Sequence, residues 1–163
     1  MTSEQELALM EEQVQRLQFS EFDLQTAWEL GTRLKNEAEA RKVAVSIEIR
    51  LCGNTVFTYS MPGTVPTNAD WARRKCNLVE WTHRSSYSAK CLPSQDGSTI
   101  IQRMGLDARD YALSGGAFPI MVKKVGCVGV VAISGLPQRE DHNLVVDVLA
   151  ELTGVPVEAV RLP

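Results

Sequence analysis

Within residues 111–149 two stretches stop alternating apolar with polar positions and are apolar almost throughout. Ala117–Val122 and residues 127–134 are two apolar runs of strand length, joined by Lys123-Lys124-Val125-Gly126. Two such runs around a short basic turn with a glycine predict a β-hairpin. The second run carries Val128, Val130, Val131 and Ile133 with hardly a polar position, the pattern of a strand covered on both faces. It is expected at the centre of the sheet, with the following amphipathic helix closing the core over it.

Upstream, residues 43–51 alternate strictly, Val43, Val45, Ile47, Ile49 and Leu51 against Ala44, Ser46, Glu48 and Arg50. This is a strand with one apolar face. Cys52-Gly53-Asn54-Thr55 supplies a turn, and Phe57, Tyr59 and Met61 continue the apolar face on a second strand. Helical spacing marks residues 4–18, with Leu7, Met10, Val14 and Leu17 on a narrow stripe. That stripe suits packing on the domain surface or on a second subunit. A further helix, capped by Ser20 or Asp23, has Leu24, Ala27, Trp28, Leu30, Leu34 and Ala38 as its expected buried face. Thr67 or Asn68 can cap a helix over residues 71–84. Residues 85–94 read as helix end plus loop, 96–104 as a short helix, and 140–154 as a helix stopped by Gly154. The tail 155–163, with two prolines, reads as extended. Paired strands with segregated helices indicate an α+β fold rather than a doubly wound sheet.

The bulk properties narrow the function classes. A chain of 163 residues with 44% hydrophobic and 23% charged residues is expected to form one globular domain, residues 1–18 being a peripheral helix. A net charge of −3 gives no support for nucleic-acid binding. No apolar run reaches membrane-span length, and Met-Thr-Ser-Glu-Gln-Glu at the start is unlike a signal peptide. Cys52, Cys76, Cys91 and Cys127 fall in different elements without C-x-x-C or zinc-ligand spacing, so reduced thiols in a cytoplasm are expected.

Four clusters can carry chemistry. Asp70-Trp71-Ala72-Arg73-Arg74-Lys75 offers Arg74 and Lys75 as a clamp for a carboxylate or phosphate. The plainer alternative is a solvated face paired with Asp70 and Glu80. His83, one of two histidines, is a ligand, a proton shuttle or a helix-terminal imidazole. Ser114-Gly115-Gly116 permits close backbone approach, as an anion nest or as a β-bulge. Pro137, Glu140 and Asp141 suit a helix first turn, with Asp141 or Glu140 orienting His142 as the functional alternative. Walker, G-x-G-x-x-G, H-E-x-x-H and C-x-x-C-H signatures are absent, and no metal cage is expected.

With these residues laid out, the chain resembles the uncharacterised branch of the haem-degrading-domain (GlcG/HbpS-like) family. The resemblance rests on Asp70-x-x-Arg73-Arg74-Lys75, on Tyr111-Ala-x-x-Gly115-Gly116-Ala-x-Pro119-Ile120, and on Ile133-Ser134-Gly135-Leu136 followed by Glu140-Asp141-His142. It spans about residues 22–152. It implies a profilin-like α+β sandwich, an antiparallel sheet flanked by helices in two or three layers, and homo-oligomers built from dimers. It also carries a haem-degrading label, which implies haem as the cofactor class; if haem binds, His83 or His142 is the candidate to lie near the iron. A eukaryotic relative in this branch is linked to tail-anchored-protein targeting, which implies a protein-interaction module instead.

The diglycine segment, the cationic helix and the last helix's first turn should meet at one concavity. There Arg74, Lys75, His83, Ser114, Gly115, Gly116 and His142 would converge on a small anion such as a carboxylate metabolite.

Overall fold

The computed structural model describes all 163 residues. Helix α1 (Ser3–Arg16) leads through a two-residue strand β1 (Gln18–Phe19) into α2 (Leu24–Ala40). Strands β2 (Ser46–Leu51) and β3 (Asn54–Ser60) form a hairpin, followed by helices α3 (Pro66–Thr82), α4 (Ser86–Lys90) and α5 (Ile100–Arg103). A second hairpin, β4 (Ala117–Val122) and β5 (Gly126–Ser134), precedes α6 (Gln138–Thr153). The sheet order is β1-β4-β5-β2-β3, so β5 lies at the centre as its unbroken apolar pattern requires. Every pairing is antiparallel except the short parallel contact of β1 with β4. The fold is α+β, a mixed, mostly antiparallel sheet flanked by helices.

Three layers follow from which side chains each face presents. Val45, Ile47 and Ile49 of the first hairpin, with Phe118, Ile120, Val131 and Ile133 of the second, point to one side. There they pack with Leu30 and Leu34 of α2 and Leu144, Val148 and Leu149 of α6 in the main core. On the other side Ala117, Val130 and Ala132 are small, and α3 lies close on them through Ala72, Cys76 and Val79. Gly129 serves the pairing of β5 with β2, since a side-chain carbon there would strike the Arg50 carbonyl. The stripe of α1 is spent within the chain itself: Met10 packs with Tyr87 and Leu162, while Val14 and Leu17 join the main core.

The structure departs from the sequence expectations at several points. Leu24 and Trp28 of α2 are 65% and 59% exposed, although Ala27, Leu30, Leu34 and Ala38 are buried as the period demands. The apolar stripe of α2 is wider than the layer beneath it, because β3 is an edge strand with nothing beyond it. Tyr59 is accordingly exposed as well, while Met61 is buried. Helix α3 begins at Pro66 with Val65 in the cap position, and Asn68 Oδ1 accepts from the Val65 N–H at 2.9 Å. Thr67 is therefore not the cap, and Asn68 acts from inside the first turn. Asp23, not Ser20, caps α2, its Oδ1 accepting from the Thr26 N–H at 2.8 Å. Helix α6 starts two residues earlier than expected, and the tail holds a single 3-10 turn, Val157–Ala159.

Candidate functional site

Lys75 is the centre of the polar architecture. It sits on the sheet-facing side of α3 and is 1% exposed. Its Nζ donates to the Gly115 carbonyl at 2.9 Å, the Ile133 carbonyl at 2.6 Å and Asp141 Oδ2 at 3.2 Å. All three ammonium protons are thus used, one on the lead-in to β4, one on β5 and one on α6. Asp141 is held in turn, since its Oδ1 accepts from the Leu136 N–H at 3.1 Å. Gly116 makes the fit possible: its φ is +125°, and a Cβ there would lie 2.5 Å from Lys75 Nζ. The Ser114-Gly115-Gly116 segment therefore turns a carbonyl oxygen toward a cation rather than offering an N–H nest to an anion.

This clasp forms one wall of a concavity of about 220 Å³ lined also by Asn68, Trp71, Ser114, Ser134 and Gly135. Burial pushes the Asp141 carboxyl up to about 6, with the Lys75 ammonium opposing the rise. Burial likewise pulls Lys75 below its ordinary value, against the attraction of Asp141. At neutral pH the pair is ionised and self-compensating. As the pH falls through about 6 the carboxylate takes up a proton and the concavity becomes cationic.

His142 follows Asp141 by one helical position and points elsewhere, as adjacent helical side chains must. It is 1% exposed, and its Nε2 lies 2.9 Å from Gln13 Oε1 on α1. Gln13 Nε2 donates to the Val160 carbonyl at 2.6 Å, which fixes the amide with its oxygen toward the ring. Nε2 of His142 therefore carries the proton, and Nδ1 is unprotonated with no partner. The ring is packed by Tyr87 and Phe118, and burial, helped by nearby Arg139, pulls its pKa down to about 3.

Two of these groups predict opposite pH dependences of stability. His142 titrates near 6.5 when unfolded and near 3 when folded, so its contribution is intact above 6.5 and is lost as the pH falls below that value. Asp141 has its folded value raised from 3.8 to about 6, so its contribution is greatest below 3.8 and is lost as the pH rises through 6. The displacement of His142 is the larger, and acid should destabilise the protein. Replacing His142→Gln should remove up to about 1.4 kcal/mol of that loss per pH unit below 6.5. Urea midpoints at pH 7.5, 5.5 and 4.5 check this, and parallel profiles for variant and parent would refute it.

The remaining site residues disperse. Arg74 lies with its guanidinium 4.5 Å over the Trp71 ring and donates through Nη2 to the Ala108 carbonyl at 2.8 Å. Its Nε is buried without a partner. His83 ends α3 in a left-handed conformation, φ 51°, and lines two other depressions, beside Glu11 and Arg84 and beside Cys52 and Cys127. The structure thus brings Lys75, Ser114, Gly115 and Gly116 together, with Arg74 one residue away along α3 on the stacked Trp71. His83 and the ring of His142 lie outside that concavity. Of the expected partners for the cationic run, Asp70 pairs with Arg73 at 3.1 Å, whereas Glu80 pairs with Arg50 at 3.2 Å. Sequence reasoning missed Gln13, Asn68 and Ser134, and it missed Asp141 as the partner of Lys75. The Ile133-Ser134-Gly135-Leu136 block was the available signal, because it supplies the turn that brings α6 back onto the clasp.

These features define a class: a three-layer α+β domain whose polar cleft is built around one buried ion pair. The chain belongs to the HbpS-like family, whose model, described as haem degrading protein HbpS-like, matches residues 22–150. It is 47% identical over 162 residues to a UPF0303 protein of Azotobacter vinelandii, covering 99% of this chain and 98% of that one. A UPF0303 protein of Serratia proteamaculans is 48% identical over 161 residues, covering 99% of this chain and all of the relative. Among solved structures, the Ybr137w protein superposes with a TM-score of 0.81 at 28% identity, over 91% of this chain and 87% of that one. The PduOC–haem complex gives 0.69 at 15% identity, over 79% and 93%, and HbpS gives 0.65 at 20%, over 83% and 92%. At such low identity the last two show the shared fold alone.

Proposed function

We propose that this chain is a cytoplasmic, homo-oligomeric domain that binds a small anionic ligand in the cleft beside Lys75 and Asp141. The observation that carries this reading is the buried ammonium at the wall of a polar concavity of about 220 Å³, room for a ligand of a few heavy atoms such as a short carboxylate. Ser114, Ser134 and Asn68 supply neutral hydrogen-bonding groups, and Trp71 with its stacked Arg74 forms the outer rim. Because Asp141 already neutralises Lys75, affinity depends on the carboxyl's protonation and rises as the pH drops through about 6. Titrating the protein with acetate and oxalate at pH 5.5 and 7.5, by amide chemical shifts, tests this. The expected result is tighter binding at 5.5 with shifts centred on Asn68, Ser114 and Ser134. Shifts scattered over the surface, or none, refute it.

A second reading, haem binding, is favoured by the family description and by the PduOC–haem complex among the fold's neighbours. His142 does not fit an axial ligand here, since its ring is enclosed and its Nε2 is engaged by Gln13. His83 is exposed and fits better. Haemin titration followed in the Soret band should give a shift that His83→Ala abolishes, and a shift surviving that change removes the assignment. A third reading, a protein-interaction module, draws on the exposed face described next.

Self-association is supported by the face where α2 meets β3. Leu24, Trp28 and Tyr59 are exposed beside half-buried Phe57, and β3 is an edge strand with free backbone groups. The same strand from a second copy, running antiparallel, satisfies those groups and covers the aromatic rings. Trp28→Glu is expected to shift the mass measured by light scattering from dimer-based assemblies to monomer. An unchanged mass would assign assembly to another face.

A further inference from the structure

Cys52 and Cys127 open on one concavity, toward the C-terminal end of α3 and apart from the Lys75 cleft. Cys52 is the first residue of the two-residue turn between β2 and β3, with φ 51°. Its N–H donates to the Val128 carbonyl at 2.8 Å, which stitches the turn beside the start of β5. Cys127 is the residue preceding Val128, and both cysteines line a depression of about 280 Å³ together with Glu80 and His83. Neighbouring strands lie about 4.7–5.5 Å apart and rise about 3.4 Å per residue, so diagonal neighbours have Cα atoms roughly 6–7 Å apart. A disulfide spans up to about 6.8 Å between Cα atoms. No three of the chain's His, Cys, Asp and Glu groups gather closely enough to hold a metal ion. Thiol–disulfide chemistry is what two cysteines on one cavity wall can perform without further ligands.

We propose that Cys52 and Cys127 form a peroxide-reactive thiol pair, Cys52 being the attacking and Cys127 the resolving residue. The roles follow from access: Cys52 is exposed, whereas Cys127 is half-buried, its Sγ donating to the Gly129 carbonyl at 3.3 Å. Burial also pushes the Cys127 thiol up, so it waits in the protonated form. Cys52, losing its thiol proton, attacks one oxygen of a hydroperoxide. An S–O bond forms, the O–O bond breaks, and water or an alcohol leaves with that proton. Cys127 then attacks the sulfenic sulfur; the S–S bond forms, the S–O bond breaks and water leaves. Two thiols give up two electrons and two protons, and the peroxide is reduced. The product ties the β2–β3 turn to β5 and closes the mouth of the cavity between them. Cys76, wholly buried with its thiol pushed well above the ordinary range, provides an unreactive internal reference.

Fully reduced protein treated with equimolar hydrogen peroxide provides the test. Intact mass should fall by about 2 Da, the loss of two hydrogens. Tryptic peptides 51–73 and 125–139 should appear joined, at a rate unchanged when the protein is diluted tenfold and the peroxide concentration is held constant. Cys52→Ser should abolish the bridge, and Cys127→Ser should leave a sulfenic acid on Cys52 that dimedone traps. The proposal is overturned by a concentration-dependent bridge between copies, by a bridge through Cys91, or by oxygen addition at Cys52 without loss of hydrogen. The parent protein's mass and peptide map decide the matter even where a variant folds poorly.

Discussion

Lys75→Met is expected to destabilise the protein by about 3–5 kcal/mol, the range for removing one partner of a buried ion pair. Methionine fills nearly the same volume, so the loss is electrostatic and not a cavity effect. It leaves the Asp141 carboxylate, the Gly115 carbonyl and the Ile133 carbonyl facing a thioether, each buried away from water. Total stabilities of about 5–15 kcal/mol make that a large fraction of the whole. Lys75→Met combined with Asp141→Asn should recover part of the loss, since the uncompensated charge is then gone while the bond to the Leu136 N–H can persist. The comparison is with Arg73→Met, whose exposed pairs with Asp70 and Asp110 should cost no more than about 1 kcal/mol. Urea unfolding of the four proteins checks this. If Lys75→Met and Arg73→Met unfold at the same midpoint, the clasp does not hold the layers together.

Gly116→Ala should be nearly as damaging, and through a different cause. At φ +125° an L residue is strained, a cost of about 1–3 kcal/mol. The new methyl would also lie 2.5 Å from Lys75 Nζ, 2.6 Å from the Ile133 carbonyl oxygen and 2.9 Å from Asp141 Cβ. None of these is a flexible end free to swing away, because each belongs to the clasp or to the central strand. Overpacking there adds about 1–3 kcal/mol. Gly53→Ala separates the two causes. Its φ is +79° with nothing within 4 Å of the added carbon, so it should show strain alone, about 1–2 kcal/mol. Equal losses at the two glycines would mean that the tight contact at Gly116 relaxes without cost.

The two predictions rest on a feature that local pattern hid. Asp70-Trp71-Ala72-Arg73-Arg74-Lys75 reads as a cationic surface turn, and for Arg73 and Arg74 that is close to what the fold does. Lys75 shares the run and the charge, yet its acceptors lie 40, 58 and 66 residues away, beyond any helical or strand period. The diglycine reads as a place of close approach, and both glycines are tightly enclosed. Its polarity was not legible, because whether a carbonyl or an N–H faces inward depends on the path of the following strand. His142 is a similar case: no local pattern points to its partner Gln13, which lies 129 residues earlier.

By itself the sequence determined most of the elements and the α+β class. The period-2 run of β2, the unbroken apolar run of β5, the short hairpin turns and the helical stripes each follow from dihedral preference and from the need to bury one face. The same patterns placed β5 at the centre. They could not say how far the layers extend, so Leu24 and Trp28 read as core although α2 overhangs an edge strand and leaves them to solvent. Tertiary structure alone decided which polar groups went inside. A buried charge is tolerated only where distant backbone and side-chain partners converge on it, and that convergence belongs to the packed chain, not to any stretch of it.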